Sequence, residues 1–384
     1  MQHKIPFNRL CLTGPELSYV SDAIRGGHTS GGGPFTQRAE RILEQRTRCA
    51  AALLTTSCTA ALEMAAILCD LQPGDEVILP SYTFVSTANA VVLRGAKPVF
   101  VDIRADTANL DERLIEAAIT PHTKAIIPVH YGGVSCDMDA IMEIARRHSL
   151  AVIEDAAQGF AATYKGRPLG TIGDCGCYSF HETKNISCGE GGALLVNNRS
   201  LLPRAHVLRD KGTNRRQFLD GQVDRYTWVD IGSSYVLSDL LAAFLVGQLE
   251  HADAVTARRR QLCGLYQKRL QPLITAGRIS LPLIPPDCGP NHHIFLILMG
   301  SLAERTALIS HLNRNSILAV FHYVPLHSSP FGVSLGGAAR PLPVTDDVSS
   351  RALRLPLFAE LTPAEVGQIC DSIATFFGVD PGKR

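Results

Sequence analysis

Four short apolar runs recur at an interval that few folds can satisfy: Glu76-Val-Ile-Leu79, Lys97-Pro-Val-Phe-Val101, Lys124-Ala-Ile-Ile-Pro128 and Leu150-Ala-Val-Ile153. Counted from Val77 to Val99, Ile126 and Val152, the steps are 22, 27 and 26 residues. A hairpin needs only a few connecting residues, whereas a parallel pair needs a crossover of a dozen or more. The spacing therefore predicts an α/β chain with a mainly parallel sheet. Segments between the runs carry helix-start residues and helical spacing, as where Asp111 precedes Leu114, Ile115, Ala118 and Ile119, and Asp139 precedes Ile141, Met142 and Ile144. Such sheets bind ligands at the carboxyl ends of their strands, which directs attention to the residues just after each run.

From about His251 the pattern changes. Arg258-Arg259-Arg260 opens an amphipathic helix, Pro282, Pro285, Pro286 and Pro290 punctuate a loop, and His293 to Met299 reads as a strand. The expected division is a large ligand-binding domain over 1–250 and a smaller C-terminal α/β domain over 251–384. The arginine triplet reads as a solvated helix face. With 37 basic and 36 acidic residues the net charge is +1, and no block of five or six basic residues occurs, so a dedicated nucleic-acid binder is excluded. Apolar residues at 46% and charged residues at 19% exclude a disordered chain. No stretch approaches the roughly 18 apolar residues of a membrane span, and Met1 to Leu10 holds no apolar run. The expectation is a cytoplasmic protein without a membrane partner. Eleven cysteines without a CxxC pair or a His-rich segment support neither a metal site nor a disulfide framework, and read as small buried hydrophobes.

Four features fall at strand ends. Ala51-Ala-Leu-Leu54 runs through Thr55-Thr-Ser-Cys-Thr59 into a helical segment, which suits a phosphate at a helix N-terminus, although Ser57 or Thr59 as a simple helix cap accounts for the same pattern. Glu154 and Asp155 end the run from Ala151 and point to opposite sides of the sheet, so one of them can face a ligand; Asp155 as a helix cap is the alternative. Phe84, after Ser81-Tyr-Thr, stands where an aromatic ring can stack on a flat ligand or pack in the core. Lys184 follows the apolar run ending near Ser179 and precedes Gly189-Glu-Gly-Gly192. Together these are the parts that pyridoxal 5′-phosphate needs: a lysine for the Schiff base, a carboxylate for the pyridinium nitrogen and a helix end for the phosphate.

On Ser57-Cys-Thr-Ala-Ala-Leu, Pro80-Ser-Tyr-Thr-Phe, Glu154-Asp-Ala-Ala-Gln, Ser179-Phe-His-Glu-Thr-Lys-Asn and Gly189-Glu-Gly-Gly, the chain resembles the sugar-nucleotide aminotransferases of fold-type I. The resemblance covers nearly the whole chain, including Lys211-Gly-Thr-Asn-Arg, Gly221-Gln-Val-Asp, Asp230-Ile-Gly-Ser-Ser-Tyr, His322-Tyr-Val-Pro-Leu-His and Arg354-Leu-Pro-Leu-Phe. Its middle segments are most similar to the branch that makes dTDP-4-amino-4,6-dideoxygalactose. The resemblance implies a pyridoxal-phosphate enzyme acting as a homodimer, with glutamate as donor and a dTDP-4-keto-6-deoxyhexose as acceptor. It makes Lys184 and Asp155 catalytic. Ser57, Cys58, Thr59 and Ser179 would hold the phosphate, Phe84 would stack, and Gln158, Asn185 and, across the dimer, Ser234 would contact the cofactor. Lys211, Asn214, Arg215, Tyr323 and His327 would face the sugar nucleotide. Relatives carry Asn and Arg where this chain has Ser234 and Val236, and a small residue in place of Cys188; valine cannot donate a hydrogen bond. The alternatives are a UDP-linked or 3-keto acceptor, a sugar C3 dehydratase that would carry His in place of Lys184, and a non-catalytic pyridoxal-phosphate-binding regulator.

Overall fold

The computed structural model describes residues 4–379. Seven runs pair into one sheet: β1 (Ala51–Thr55), β2 (Glu76–Pro80), β3 (Lys97–Val101), β4 (Thr123–Ile126), β5 (Ala151–Asp155), β6 (Cys175–Ser179) and β7 (Gly192–Val196). Their order is β1-β7-β6-β5-β4-β2-β3. β2 through β6 run parallel to one another, as the interval between the apolar runs requires of β2 to β5. β7 alone runs the other way, between β6 and β1. The connection from β6 to β7 holds no helix, so the chain turns back beside itself, and this turn carries Lys184 and the glycines.

Both faces of the sheet are covered, and alternate residues of each strand enter different cores. Ala52, Leu54, Val152 and Tyr178 join one core with helices Pro34–Thr47 and Asp239–Glu250. Leu53, Ile153 and Cys177 join the other with helix Cys58–Leu68. That helix is buried on nearly every side, which its run of alanines allows. By the same alternation Glu154 belongs with the first face and Asp155 with the second.

The C-terminal part builds a four-stranded antiparallel sheet, in the order Ile279–Ser280, Phe295–Met299, Ala352–Leu355, Val320–Phe321. Tyr266, Ile297, Leu312, Leu353 and Ile369 share its core. Helix Ala252–Thr275 belongs to both parts: Ala252 and Val255 pack in the large core, Leu262 to Leu273 in the smaller one. Ile5 bridges Ile317 and packs in the smaller core, so the first described residues lie with the C-terminal part. The arginine triplet is the expected solvated face only in part: Arg260 is exposed and Arg258 half-buried. Arg259 is buried and donates to the carbonyls of His292 (2.9 Å) and His293 (2.6 Å), whose loop would otherwise leave them unpaired. Apart from Cys370, the cysteines are free thiols, and most of the eleven are buried.

Candidate active site

The carboxyl ends of β1, β5 and β6 open on one cavity of about 380 Å³, lined by Ser57, Cys58, Thr59, Phe84, Asp155, Gln158, Ser179, Lys184 and Tyr323 among others. Extended backbone at Ser57 (φ −163°, ψ 167°) turns the chain from β1 into helix Cys58–Leu68. The Ser57 hydroxyl accepts from the Ala60 N–H at 3.1 Å, so this side chain is the helix cap. First-turn N–H groups at Cys58 and Thr59 have no intrahelical acceptor and stand at the cavity wall. Thr59 Oγ1 lies 2.7 Å from Ser86 Oγ. A Cβ on Gly192 would sit 2.4 Å from Cys58 N, so only glycine lets β7 press against this helix start. Burial pushes the Cys58 thiol well above the usual range, which keeps it neutral.

The two carboxylates at the end of β5 have separate fates. Glu154 is fully buried on the far face, where it accepts from the N–H groups of Gly170 (2.8 Å), Ile172 (2.5 Å) and Gly173 (2.7 Å) and lies 2.9 Å from His130 Nε2. It holds the loop between β5 and β6. Asp155 faces the cavity, with Oδ2 accepting from Thr87 Oγ1 at 2.7 Å and Oδ1 from Ala157 N–H at 3.1 Å.

Lys184 stands on the turn after β6, its N–H donating to the His181 carbonyl at 2.9 Å. Among the described residues its ammonium has no ion pair and no hydrogen-bond partner. Burial holds the Lys184 amine below the usual lysine range, with the Asp155 charge acting in the opposite sense. Phe84 is 57% exposed, and its ring centroid is 6.3 Å from that of Tyr323. Gln158 accepts from Gly132 N–H (2.7 Å) and donates to the Tyr323 hydroxyl (2.9 Å), which fixes both side chains. Ser179 contributes a cavity-lining hydroxyl that accepts from His181 N–H at 3.4 Å.

Six expected contacts lie outside this cavity wall. Asn185 donates to the Asn291 carbonyl (2.9 Å), and its Oδ1 lies 3.0 Å from His293 Nδ1, so it ties the lysine turn to the C-terminal part. Lys211 and Arg215 pair with Asp210 at 3.6 and 3.4 Å, Asn214 accepts from Thr227 N–H at 2.7 Å, and Ser234 bridges Asp210. His327 is the sixth. Its ring is buried, with Nδ1 2.8 Å from Ser81 Oγ and Nε2 3.5 Å from Asp346.

The sequence reading missed four contributors from distant segments: Phe7, His293, His322 and Arg354. His322 stacks on Tyr323 with centroids 3.7 Å apart, and its Nδ1 lies 2.7 Å from the Tyr131 hydroxyl. Burial holds both histidines well below the usual imidazole range, so they are neutral at neutral pH. His322 and Arg354 stood inside segments quoted only for resemblance; the adjacency of His322 to Tyr323 was the available signal.

The sequence model of the DegT/DnrJ/EryC1/StrS aminotransferase family matches residues 11–374. The chain belongs to this family. It is 33% identical over 379 residues to the spore coat polysaccharide biosynthesis protein SpsC of Bacillus subtilis, covering 97% of this chain and 96% of SpsC. It superposes on the PLP-form of the putative sugar aminotransferase Spr1654 from Streptococcus pneumoniae with a TM-score of 0.89 at 28% identity, covering 97% and 98% of the two chains. S. venezuelae DesV gives 0.87 at 32% identity, covering 98% and 99%. The fold is that of the fold-type I aminotransferases, and members of the DegT/DnrJ/EryC1/StrS family are pyridoxal 5′-phosphate enzymes. The residues present suit that group: unpaired N–H groups over a glycine-only contact for a phosphate, a buried carboxylate, an exposed ring, and an unpartnered amine. No helix among the described residues is long and apolar enough to cross a membrane.

Proposed function

We propose that this aminotransferase moves the amino group of glutamate to C4 of a dTDP-4-keto-6-deoxyhexose, giving dTDP-4-amino-4,6-dideoxygalactose for surface polysaccharide. The observation that carries the reading is one cavity holding both the unpartnered Lys184 amine and the buried Asp155 carboxylate beside a helix N-terminus. When bound, pyridoxal 5′-phosphate supplies an electron sink for the carbon that loses or gains the amino group. The N–H groups of Cys58 and Thr59 and the hydroxyl of Ser179 would hold its phosphate. Phe84 would cover its ring, and Asp155 would keep its ring nitrogen protonated. Lys184 would attach it covalently and, once released, carry a proton between the substrate carbon and the cofactor. Burial holds this amine below the usual lysine range, which favours the neutral form that accepts a proton.

The sugar assignment is supported by the names of SpsC and Spr1654, and the choice of acceptor by resemblance in the middle segments. A homodimer is supported by the run of exposed apolar residues Leu219, Tyr226, Trp228 (78% exposed), Val229 and Ile231. A partner covering that segment would bring Lys211, Asn214, Arg215 and Ser234 toward its own cavity. Residues 1–250 would carry the cofactor and 251–384 the smaller cap. Free thiols at the cysteines other than Cys370 suit the cytoplasm.

Turnover on dTDP-4-keto-6-deoxyglucose against its UDP and 3-keto counterparts, with product stereochemistry by NMR, tests the assignment. The reading expects the dTDP 4-keto sugar to be the best acceptor, with parallel double-reciprocal lines when glutamate is varied. Preference for a UDP or 3-keto sugar would overturn it.

A further inference from the structure

His293 stands just before strand Phe295–Met299 and lines the same cavity as Lys184. Its backbone is held on both sides: the N–H donates to Asn291 Oδ1 at 3.0 Å, and the carbonyl accepts from Arg259 at 2.6 Å. Its ring is held by the residue next to the lysine. Asn185 Nδ2 donates to the Asn291 carbonyl at 2.9 Å, which leaves Asn185 Oδ1 as the atom 3.0 Å from His293 Nδ1. An amide oxygen only accepts, so Nδ1 carries the ring proton and Nε2 a lone pair. Among the described residues Nε2 has no partner, yet it is not one of the buried polar atoms left unsatisfied, so it opens on the cavity.

The cavity wall thus presents an acceptor without a donor and, in Lys184, a donor without an acceptor. Other partners for the amine are engaged: the Asp155 oxygens already accept from Thr87 and Ala157, and burial keeps the Cys58 thiol neutral. His322 is a second neutral ring in the wall, but the charge that acts on it most is Arg354, whereas for His293 it is Lys184. Arg354, Arg259 and His322 are the other charged and titratable groups around the His293 ring. A lysine side chain is a flexible four-carbon stem, so its amine can turn to a fixed acceptor in the same wall. We propose that His293 is a positioning residue, whose Nε2 accepts from the Lys184 amine whenever the cofactor does not hold it and keeps that amine aimed for the proton transfers of both half-reactions. The proton stays on the lysine nitrogen, because a ring that burial holds neutral is a poor base. This rests on the aminotransferase reading of the cavity.

The test uses His293→Phe, which keeps a ring and removes the acceptor, and His293→Gln, which returns an acceptor oxygen. In the apoprotein, carbamylation of Lys184 by cyanate is followed against pH and mapped by mass spectrometry. Loss of the acceptor destabilises the ammonium, so the midpoint in His293→Phe is expected about one pH unit below wild type, a change of about tenfold. In His293→Gln it is expected within about half a unit of wild type. In the holoenzyme, stopped-flow absorbance is expected to show both half-reactions of His293→Phe slowed by the same factor, about tenfold, because one lysine serves both. Cofactor content and half-saturation by glutamate and by the sugar are expected to stay within about twofold. A wild-type midpoint in His293→Phe would overturn the inference. A midpoint in His293→Gln as low as in His293→Phe would overturn it too, since the acceptor would then not be what matters. Loss confined to one half-reaction would also overturn it, by assigning the ring to that substrate. Should His293→Phe fail to fold, Asn185→Leu decides by the same midpoint: it frees Nδ1, lets the ring proton move to Nε2 and is expected to lower the midpoint, with a wild-type value counting against the inference. A wild-type holoenzyme that binds its cofactor yet shows no spectral change with glutamate would instead overturn the aminotransferase reading, and the apoprotein midpoint is read independently of that outcome.

Discussion

Thr87 Oγ1 donates to Asp155 Oδ2 at 2.7 Å, and both side chains are buried. The threonine sits on helix Val85–Val92 directly after Phe84, so one turn of chain supplies both the exposed ring and the bond that orients the carboxylate. Thr87→Val keeps the shape and removes the donor. It is expected to cost about 1–3 kcal/mol of stability and to lower kcat more than it raises KM for glutamate, measured by thermal melts and steady-state kinetics.

Glu154 and Asp155, adjacent in sequence, are expected to fail differently. Asp155→Asn should retain the cofactor but lose on the order of a hundredfold or more in turnover, the scale of removing one preorganised electrostatic partner. Glu154→Gln should leave the cavity chemistry intact and lower the melting temperature, because an amide cannot accept from three N–H groups and a histidine as a carboxylate does. Cofactor content, kcat and melting curves of the two variants separate these outcomes.

His327→Ala is expected to act on the fold. Its loss would leave the Ser81 hydroxyl without its ring partner and open a gap beside Leu326, at a cost of about 1–3 kcal/mol. Both half-reactions should fall by the same factor, with a lowered melting temperature. A selective loss in the sugar half-reaction would instead place His327 against the acceptor.

The depressed amine of Lys184 gives a pH dependence of fixed sign. In the window between its folded value and the ordinary 10.5, the unfolded chain binds more protons, so stability of the apoprotein rises with pH through that window. Below it, the full penalty of a buried ammonium is present. Apo Lys184→Met is therefore expected to melt higher than apo wild type at pH 7, and its advantage should shrink as pH rises toward 10.5. Melting temperatures of both proteins at pH 7 and pH 9.5 check this, and a pH-independent difference would contradict it.

The sheet was legible in the spacing of its apolar runs, because crossover length is fixed by the distance a helix must span. β7 was not read as antiparallel, since a buried strand has the same apolar pattern in either direction. Lys184 and Asp155 could be found because Asp155 ends a strand and Lys184 stands on the turn that follows one. His293 and Arg354 could not, as each reaches the cavity from the C-terminal sheet and is defined by packing far along the chain. His327 was placed by likeness alone, and its contact with Ser81, 246 residues away, is set by the fold. The arginine triplet misled for a similar reason: helical spacing marks a face, and only the fold shows that the His292 loop covers it.

The covalent attachment of the cofactor tests the account most directly. Holoenzyme reduced with borohydride, digested and mapped by mass spectrometry is expected to carry the pyridoxyl group on Lys184 alone, with no adduct in Lys184→Ala. An adduct on Lys165 or Lys211 in the wild-type protein would contradict it, since these lysines are paired with Asp139 and Asp210 and lie outside the cavity.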